Sequence, residues 1–261
     1  MDQIPQNILT RYKEHGRHHL PRRLTTDPYA IHVSEVMLQQ TQVDRVIPYF
    51  HRWMKDFPDY ETLANASKTD LLTHRSGLGF NSRAMRLQAC AQEVVARFDG
   101  KLPMERSQLL SLPGIGPYTS AAILAFSGNI EVPVIDTNIR RVLLFLYKWD
   151  EKISMNELEE KAEKLIPSGR SRDWHNALMD YGAMELTARK PKIKPISKQS
   201  KFEGSDRQVR GRIMKRLTKH HRPLDIIEIV NEFPHKDVAM ILEGLVKEGL
   251  VLKQDNSIVL E

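Results

Sequence analysis

The chain has one cysteine, Cys90, among 261 residues. A single thiol excludes an internal disulfide and any cysteine-ligated zinc site or iron–sulfur cluster built within one chain, and it points to a reducing, cytoplasmic setting. Cys90 itself reads as a small core residue in a helix over 83–95. Long apolar runs are also missing, and the polar N-terminus carries no signal-peptide core, so no membrane association is expected. Strand patterning is scarce before residue 190, which leaves that part all-α. The charge imbalance is moderate, with 39 Lys and Arg against 33 Asp and Glu, a net charge of +6. That balance and a pI of 9.3 favour a polyanionic partner. The length allows one large or two modest domains with a substantial core.

Two stretches stand out against this background. The first is Leu112-Pro-Gly-Ile-Gly-Pro-Tyr118, with helical sequence on both sides. Gly114 and Gly116 suit a turn that brings backbone close to a ligand. The following Thr119-Ser-Ala-Ala-Ile-Leu-Ala125 run is small and apolar enough for a closely packed helix. Its N-terminal N–H groups would face an anion such as a phosphate. The second is Val134-Ile-Asp-Thr-Asn138, which sets Asp136 beside apolar neighbours just before a helix over 139–145. An acid placed there is partly desolvated, yet close to a helix N-terminus that favours its ionised form. Taken alone, Asp136 also reads as an N-cap carboxylate.

In chain order, Ile4 to Tyr12 reads as a helix, followed by a basic loop over 15–23. Its adjacent histidines lack a carboxylate at ligand spacing and read as solvated or phosphate-facing. Asp27-Pro-Tyr29 caps a helix whose apolar side carries Ile31, Val33, Val36, Met37 and Leu38. Glu35 lies within it, either on a solvated face or poised between apolar neighbours. Gln39, Gln40, Thr41 and Gln42 end that helix, as a plain cap or as amides and a hydroxyl that satisfy exposed base edges. Amphipathic helices follow over 48–57 and 63–74, then a Gly-rich turn carrying Phe80, then charged and mixed helices over 157–166 and 174–183. Asn176, in the last of these, is a surface amide or a base-edge contact.

The order and spacing of these pieces resemble the helix-hairpin-helix DNA glycosylases, the superfamily of endonuclease III and MutY. The Leu-Pro-Gly-x-Gly-x-Tyr hairpin and the Val-x-Asp-x-Asn aspartate carry the likeness, and Ser34-Glu-Val-Met-Leu-Gln-Gln-Thr-Gln-Val43 is similar to the MutY motif nearly letter for letter. It spans roughly residues 8–190 and implies an all-α, two-lobed glycosylase fold. Residues 27–130 would form a six-helix lobe, and 1–26 with 131–190 the second. The same resemblance implies a monofunctional DNA N-glycosylase of base excision repair, acting on a mispaired or damaged base in double-stranded DNA. The base would be adenine opposite G or 8-oxoguanine, with a thymine/uracil mismatch glycosylase or a non-catalytic DNA-binding protein as alternatives.

In that family Glu35 matches the general acid, Asp136 the sugar-stabilising carboxylate, and Tyr118 and Asn138 their orienting partners. Gln39, Gln40, Thr41 and Gln42 match the intercalating loop, and Phe80 stands where MutY carries a stacking Tyr, core packing being its other reading. Leu112, Gly114, Ile115, Gly116 and Thr119 match the phosphate-binding hairpin. The family holds a monovalent cation on its backbone carbonyls, here those of Leu112 and Ile115. Arg23 and Asn176 match base-recognition positions.

Three departures are visible. Arg22 stands where MutY has Trp. Arg189-Lys-Pro-Lys-Ile-Lys-Pro-Ile196 replaces the four cluster cysteines. The chain is also too short for MutY's Nudix-like domain. Instead a basic linker over 191–204 leads to three helices and a hairpin over 205–261, which resemble a winged-helix module. A monomer is expected.

Overall fold

The computed structural model describes residues 3–74, 81–186, 193, 201–220 and 222–260. Phe80 and most of the basic stretch 187–200 lie outside the described residues.

Among the described residues the chain is mostly helical. The first seven helices are α1 (Ile4–His15), α2 (Pro28–Leu38), α3 (Val43–Asp56), α4 (Tyr60–Ala64), α5 (Lys68–His74), α6 (Asn81–Phe98) and α7 (Arg106–Leu110). Then come α8 (Pro117–Gly128), α9 (Thr137–Tyr147), α10 (Met155–Glu163), α11 (Ser171–Met184), α12 (Asp206–His220), α13 (Ile226–Glu232) and α14 (Val238–Lys247). Three short strands, β1 (Leu224–Asp225), β2 (Val251–Gln254) and β3 (Ser257–Leu260), complete the chain. No described helix is long and apolar enough to cross a membrane. The chain divides into two compact units, Met1–Val36 with Leu102–Lys198, and Met37–Lys101 with Gln199–Glu261.

The first unit is built on two helices buried nearly all round, as core helices are. Thr119 to Phe126 of α8 are all buried, and the small Ala121, Ala122 and Ala125 let neighbours approach closely. On α11, Trp174, His175, Asn176, Ala177, Leu178, Met179 and Asp180 are buried. α11 packs against α1, α8 and α9. α7 and α8 form the hairpin pair. Its connecting turn is anchored by buried Leu112 and Ile115 and reversed at Gly114, whose φ of 78° is a conformation glycine adopts without strain.

In the second unit α6 packs on α4 and α5. Two helices differ from the sequence reading. The segment over 63–74 is interrupted, because Ser67 restarts the chain by accepting the Asp70 N–H at 3.0 Å, while Gln88 Nε2 donates to the Ala66 carbonyl at 2.6 Å. The helix expected from residue 48 starts at Val43 and runs through Pro48. Its buried stripe of Val46, Phe50 and Trp53 continues across the proline, and this burial offsets the lost backbone hydrogen bond.

The C-terminal helices and hairpin fold as read, with the addition of β1. The strand order is β1-β3-β2, all antiparallel. Asp255 turns the hairpin with φ 48°. Val209, Ile213, Leu217, Ile241, Leu245, Val251 and Ile258 share one core with Leu72 of α5, and Met85 of α6 packs against it. α12 is basic, and three of its arginines are paired within the unit. Arg210 pairs with Glu248, Arg212 with Glu232, and Arg216 with Glu228 and Glu232.

Candidate active site

Glu35 sits on α2, which begins where the Asp27 carboxylate accepts the N–H groups of Tyr29 at 3.1 Å and Ala30 at 3.2 Å. Of the two readings open from sequence, the buried one holds: Glu35 is 3 % exposed. A carboxylate is stable there only with partners, and both its oxygens have one. Tyr118 donates its hydroxyl to Oε2 at 2.7 Å, and Arg22 donates Nη1 to Oε1 at 3.1 Å. Burial first, then the charges of Glu35 and Asp136, push the Tyr118 phenol well above its usual 10.0, so it remains a donor.

Asp136 caps α9 by accepting the Ile139 N–H at 2.6 Å. The capping role and the site role therefore coincide. Burial pushes its carboxyl above 3.8, helped by the charge of Glu35. The hydrogen bonds from Ile139 and Asn138 and the charge of Arg141 pull the other way and are outweighed. The expected stabilisation at a helix N-terminus is thus present but loses to desolvation.

Asn138, in the first turn of α9, donates Nδ2 to the Met179 carbonyl at 3.2 Å and accepts from Arg141 Nη2. Arg141 also holds the carbonyls of Gly182 at 3.0 Å and Leu186 at 3.1 Å, which ties α9 to the end of α11. A Cβ on Gly182 would collide with the Asn138 amide, so any larger residue at this crossing displaces that side chain. Upstream of Asp136, the Val134 N–H donates to His175 Nε2 at 3.1 Å, while His175 Nδ1 meets the Ser171 carbonyl at 2.8 Å. Burial lowers the His175 imidazole to about 4, so it stays neutral with Nδ1 protonated.

The remaining residues singled out from sequence fall in different places. Arg23 is committed within the protein, forking onto Asp180 at 2.6 and 2.8 Å, with its guanidinium over the Tyr12 ring. Asp180 also takes the Arg17 backbone N–H at 2.9 Å and Arg17 Nε at 2.7 Å. Two arginines of the basic loop over 15–23 are thus committed inside the protein, while its adjacent His18 and His19 are exposed. Asn176 is buried on α11, and its Oδ1 has no hydrogen-bond partner among the described residues. Thr119 is buried at the start of α8, while Gly116 caps that helix with open space beside its Cα.

Gln39, Gln40, Thr41 and Gln42 belong to the second unit. There the left-handed Gln40, φ 57°, ends α2, and buried Arg83 donates Nη1 to the Gln39 carbonyl at 2.6 Å. Gln39, Gln40 and Gln42 are exposed. Cys90 is buried in α6 with its thiol pushed up to about 12, an inert core residue. No cluster of three or more metal-ligating side chains occurs among the described residues.

Sequence reading missed Arg22 as a partner of Glu35, and missed Asp180, Arg141 and His175 entirely. The Arg-Arg pair at 22–23 was visible, but its partners stand 13 and 157 residues away in the chain.

Comparison with known proteins identifies the family. The model of the HhH-GPD superfamily base excision DNA repair proteins matches residues 33–168. An adenine DNA glycosylase of Mycolicibacterium smegmatis is 34% identical over 95% of this chain and 92% of its own length. One of Buchnera aphidicola is 36% identical over 72% of this chain, which spans 54% of that relative. A solved thermostable thymine-DNA glycosylase superposes with a TM-score of 0.67 at 31% identity, over 72% of this chain and 88% of its own. The chain belongs to the HhH-GPD superfamily of base excision DNA repair proteins.

Proposed function

We propose that this protein is a monofunctional DNA glycosylase that removes adenine mispaired with G or 8-oxoguanine from double-stranded DNA, acting as a monomer. The observation that carries the reading is the buried Glu35 carboxyl held between Tyr118 and Arg22, with Asp136 in the same charged cluster. Adenine is favoured over other bases by the names of the relatives that match most of the chain.

The chemistry follows from these groups. The extruded nucleotide presents its base to Glu35, which protonates a ring nitrogen and makes the base a neutral leaving group. The N-glycosidic bond breaks with its electron pair passing to the base. The Asp136 carboxylate stabilises the positive charge left on the sugar. Water then adds at C1′ and loses a proton, leaving an abasic site. Tyr118 orients Glu35, and Asn138 fixes the first turn behind Asp136. A phenol forms no Schiff base, so no strand cleavage follows.

The hairpin from Leu112 to Gly116 and the first turn of α8 bind a phosphate. The carbonyls of Leu112 and Ile115 would hold a monovalent cation there, an oxygen-only donor set that suits a hard ion and would add positive charge near that phosphate. Gln39, Gln40, Thr41 and Gln42 enter the base stack, and Asn176 reads a base edge.

The test is single-turnover excision from duplexes carrying A opposite 8-oxoguanine, A opposite G, T opposite G and U opposite G, with alkali revealing abasic product. Removal of A supports the reading. Removal of T or U alone would transfer the chain to a pyrimidine-mismatch activity.

A further inference from the structure

Arg22 is the least satisfied charged group of the candidate site. Its side chain is 11% exposed, and its guanidinium lies over the Phe126 ring with 5.2 Å to the centroid. A guanidinium offers five N–H donors and accepts none. Nη1 reaches the Glu35 carboxylate at 3.1 Å, and Nη2 has, among the described residues, the Met179 thioether at 3.2 Å, which is a weak acceptor. Nε is buried with no hydrogen-bond partner among the described residues. A buried donor without an acceptor is costly to maintain unless a ligand completes it.

A matching acceptor without a donor sits on the neighbouring helix. Asn176 Oδ1 is buried and has no partner among the described residues, and Asn176 precedes Met179 by one helical turn, on the same face of α11. Arg22 thus keeps a spare donor beside the acid Glu35, and α11, which it touches at Met179, carries a spare acceptor one turn away. A nucleobase presents the complement, a ring acceptor next to an N–H donor.

We infer that Arg22 is a base-contacting, specificity-determining residue whose Nε–H is completed by a ring nitrogen of the extruded base. The inference rests on the glycosylase reading and extends it to a residue other than the acid and the sugar-stabilising carboxylate.

The test is a chemical double-mutant cycle on binding. Duplexes would carry non-cleavable 2′-fluoro nucleotides of adenine, 1-deazaadenine, 3-deazaadenine and 7-deazaadenine, with wild-type protein, Arg22→Met and Arg22→Lys. One deaza analogue should bind wild type roughly tenfold to hundredfold more weakly than adenine, the size of a charge-assisted hydrogen bond. Arg22→Met should not discriminate that analogue from adenine. Arg22→Lys, which keeps the charge but lacks Nε–H, should behave like Arg22→Met.

Wild type that binds all three analogues like adenine overturns the inference, and this comparison needs no variant to fold. Equal discrimination by wild type and both variants overturns it too, as does full recovery in Arg22→Lys. Excision of natural adenine is measured in parallel with wild type. Excision without the coupling removes only the role of Arg22, whereas no excision removes the glycosylase reading with it.

Discussion

The Tyr118 hydroxyl donates to Glu35 Oε2 at 2.7 Å, joining residues 83 positions apart in the chain. This contact lets the hairpin turn set the position of the acid: Pro117 and Tyr118 open α8, and the phenol holds one carboxyl oxygen while Arg22 holds the other.

Replacing Tyr118 with Phe removes that donor and keeps the ring. A hydrogen bond to a charged group contributes about 1.5–3 kcal/mol, so single-turnover excision is expected to fall roughly tenfold to hundredfold. Duplex affinity should be little changed. Borohydride trapping should give no covalent adduct with wild type, and an adduct would show that another amine does the work denied to Tyr118.

Asp136 has its carboxyl raised above 3.8 by burial. Its role requires the ionised form, so excision should decline as pH falls through the raised pKa. The acid limb of the pH–rate profile therefore lies above the range of an exposed aspartate. For stability the sign is opposite: the folded state loses stability as pH rises from the ordinary to the raised pKa. Asp136→Asn retains a good N-cap residue and removes the buried charge. It should be inactive yet at least as stable as wild type at pH 7 in urea unfolding. Marked destabilisation would mean that the charge is held for structure.

Gly182→Ala drives a Cβ into the Asn138 side chain. Overpacking of this kind costs about 1–3 kcal/mol, here partly offset by the better helix propensity of alanine. The Asn138 bond to the Met179 carbonyl should break, and the excision rate should fall more than the thermal midpoint does. Unchanged kinetics would show that Asn138 does not need its present position.

Asp180 is buried among Arg17 and Arg23. Burial pushes its carboxyl up, but the hydrogen bond and charge of Arg23, with Arg17, outweigh it, and the net shift is below 3.8. The pair contributes stability that is present above the unfolded-state pKa and is lost as pH falls through the lowered one. Removing one partner of such a pair costs about 3–5 kcal/mol, so Asp180→Asn should unfold at markedly lower urea at pH 7. The difference from wild type should shrink in strong acid. An equal midpoint at pH 7 would make Arg23 available to a ligand, the role its position in the family motif suggests.

Much of this architecture was legible in the sequence because its signals are local. The Gly114 turn, the Asp136 cap and the small residues of α8 each follow from a few adjacent letters, and the helices from apolar period. The departures come from distant partners. Periodicity alone favours a solvated face for Glu35, because its enclosure depends on Arg22 and Tyr118, and only the family motif points inward. Asp180 gave no signal, since Arg17 and Arg23 meet it only in the folded chain. The interruption at 65–67 is set by Gln88 of α6, and β1 is a strand only through pairing with β3. The ion pairs that Glu228, Glu232 and Glu248 make with the arginines of α12 likewise join residues far apart in the chain.

The most direct measurement compares wild type with Glu35→Gln on a duplex carrying A opposite 8-oxoguanine, under single-turnover conditions, with affinity for the same duplex measured in parallel. General acid catalysis contributes about 10²–10⁴ in rate. The expected result is loss of adenine excision by that order with duplex affinity nearly unchanged. Excision by Glu35→Gln at the wild-type rate would contradict the assignment of the buried carboxyl as the acid.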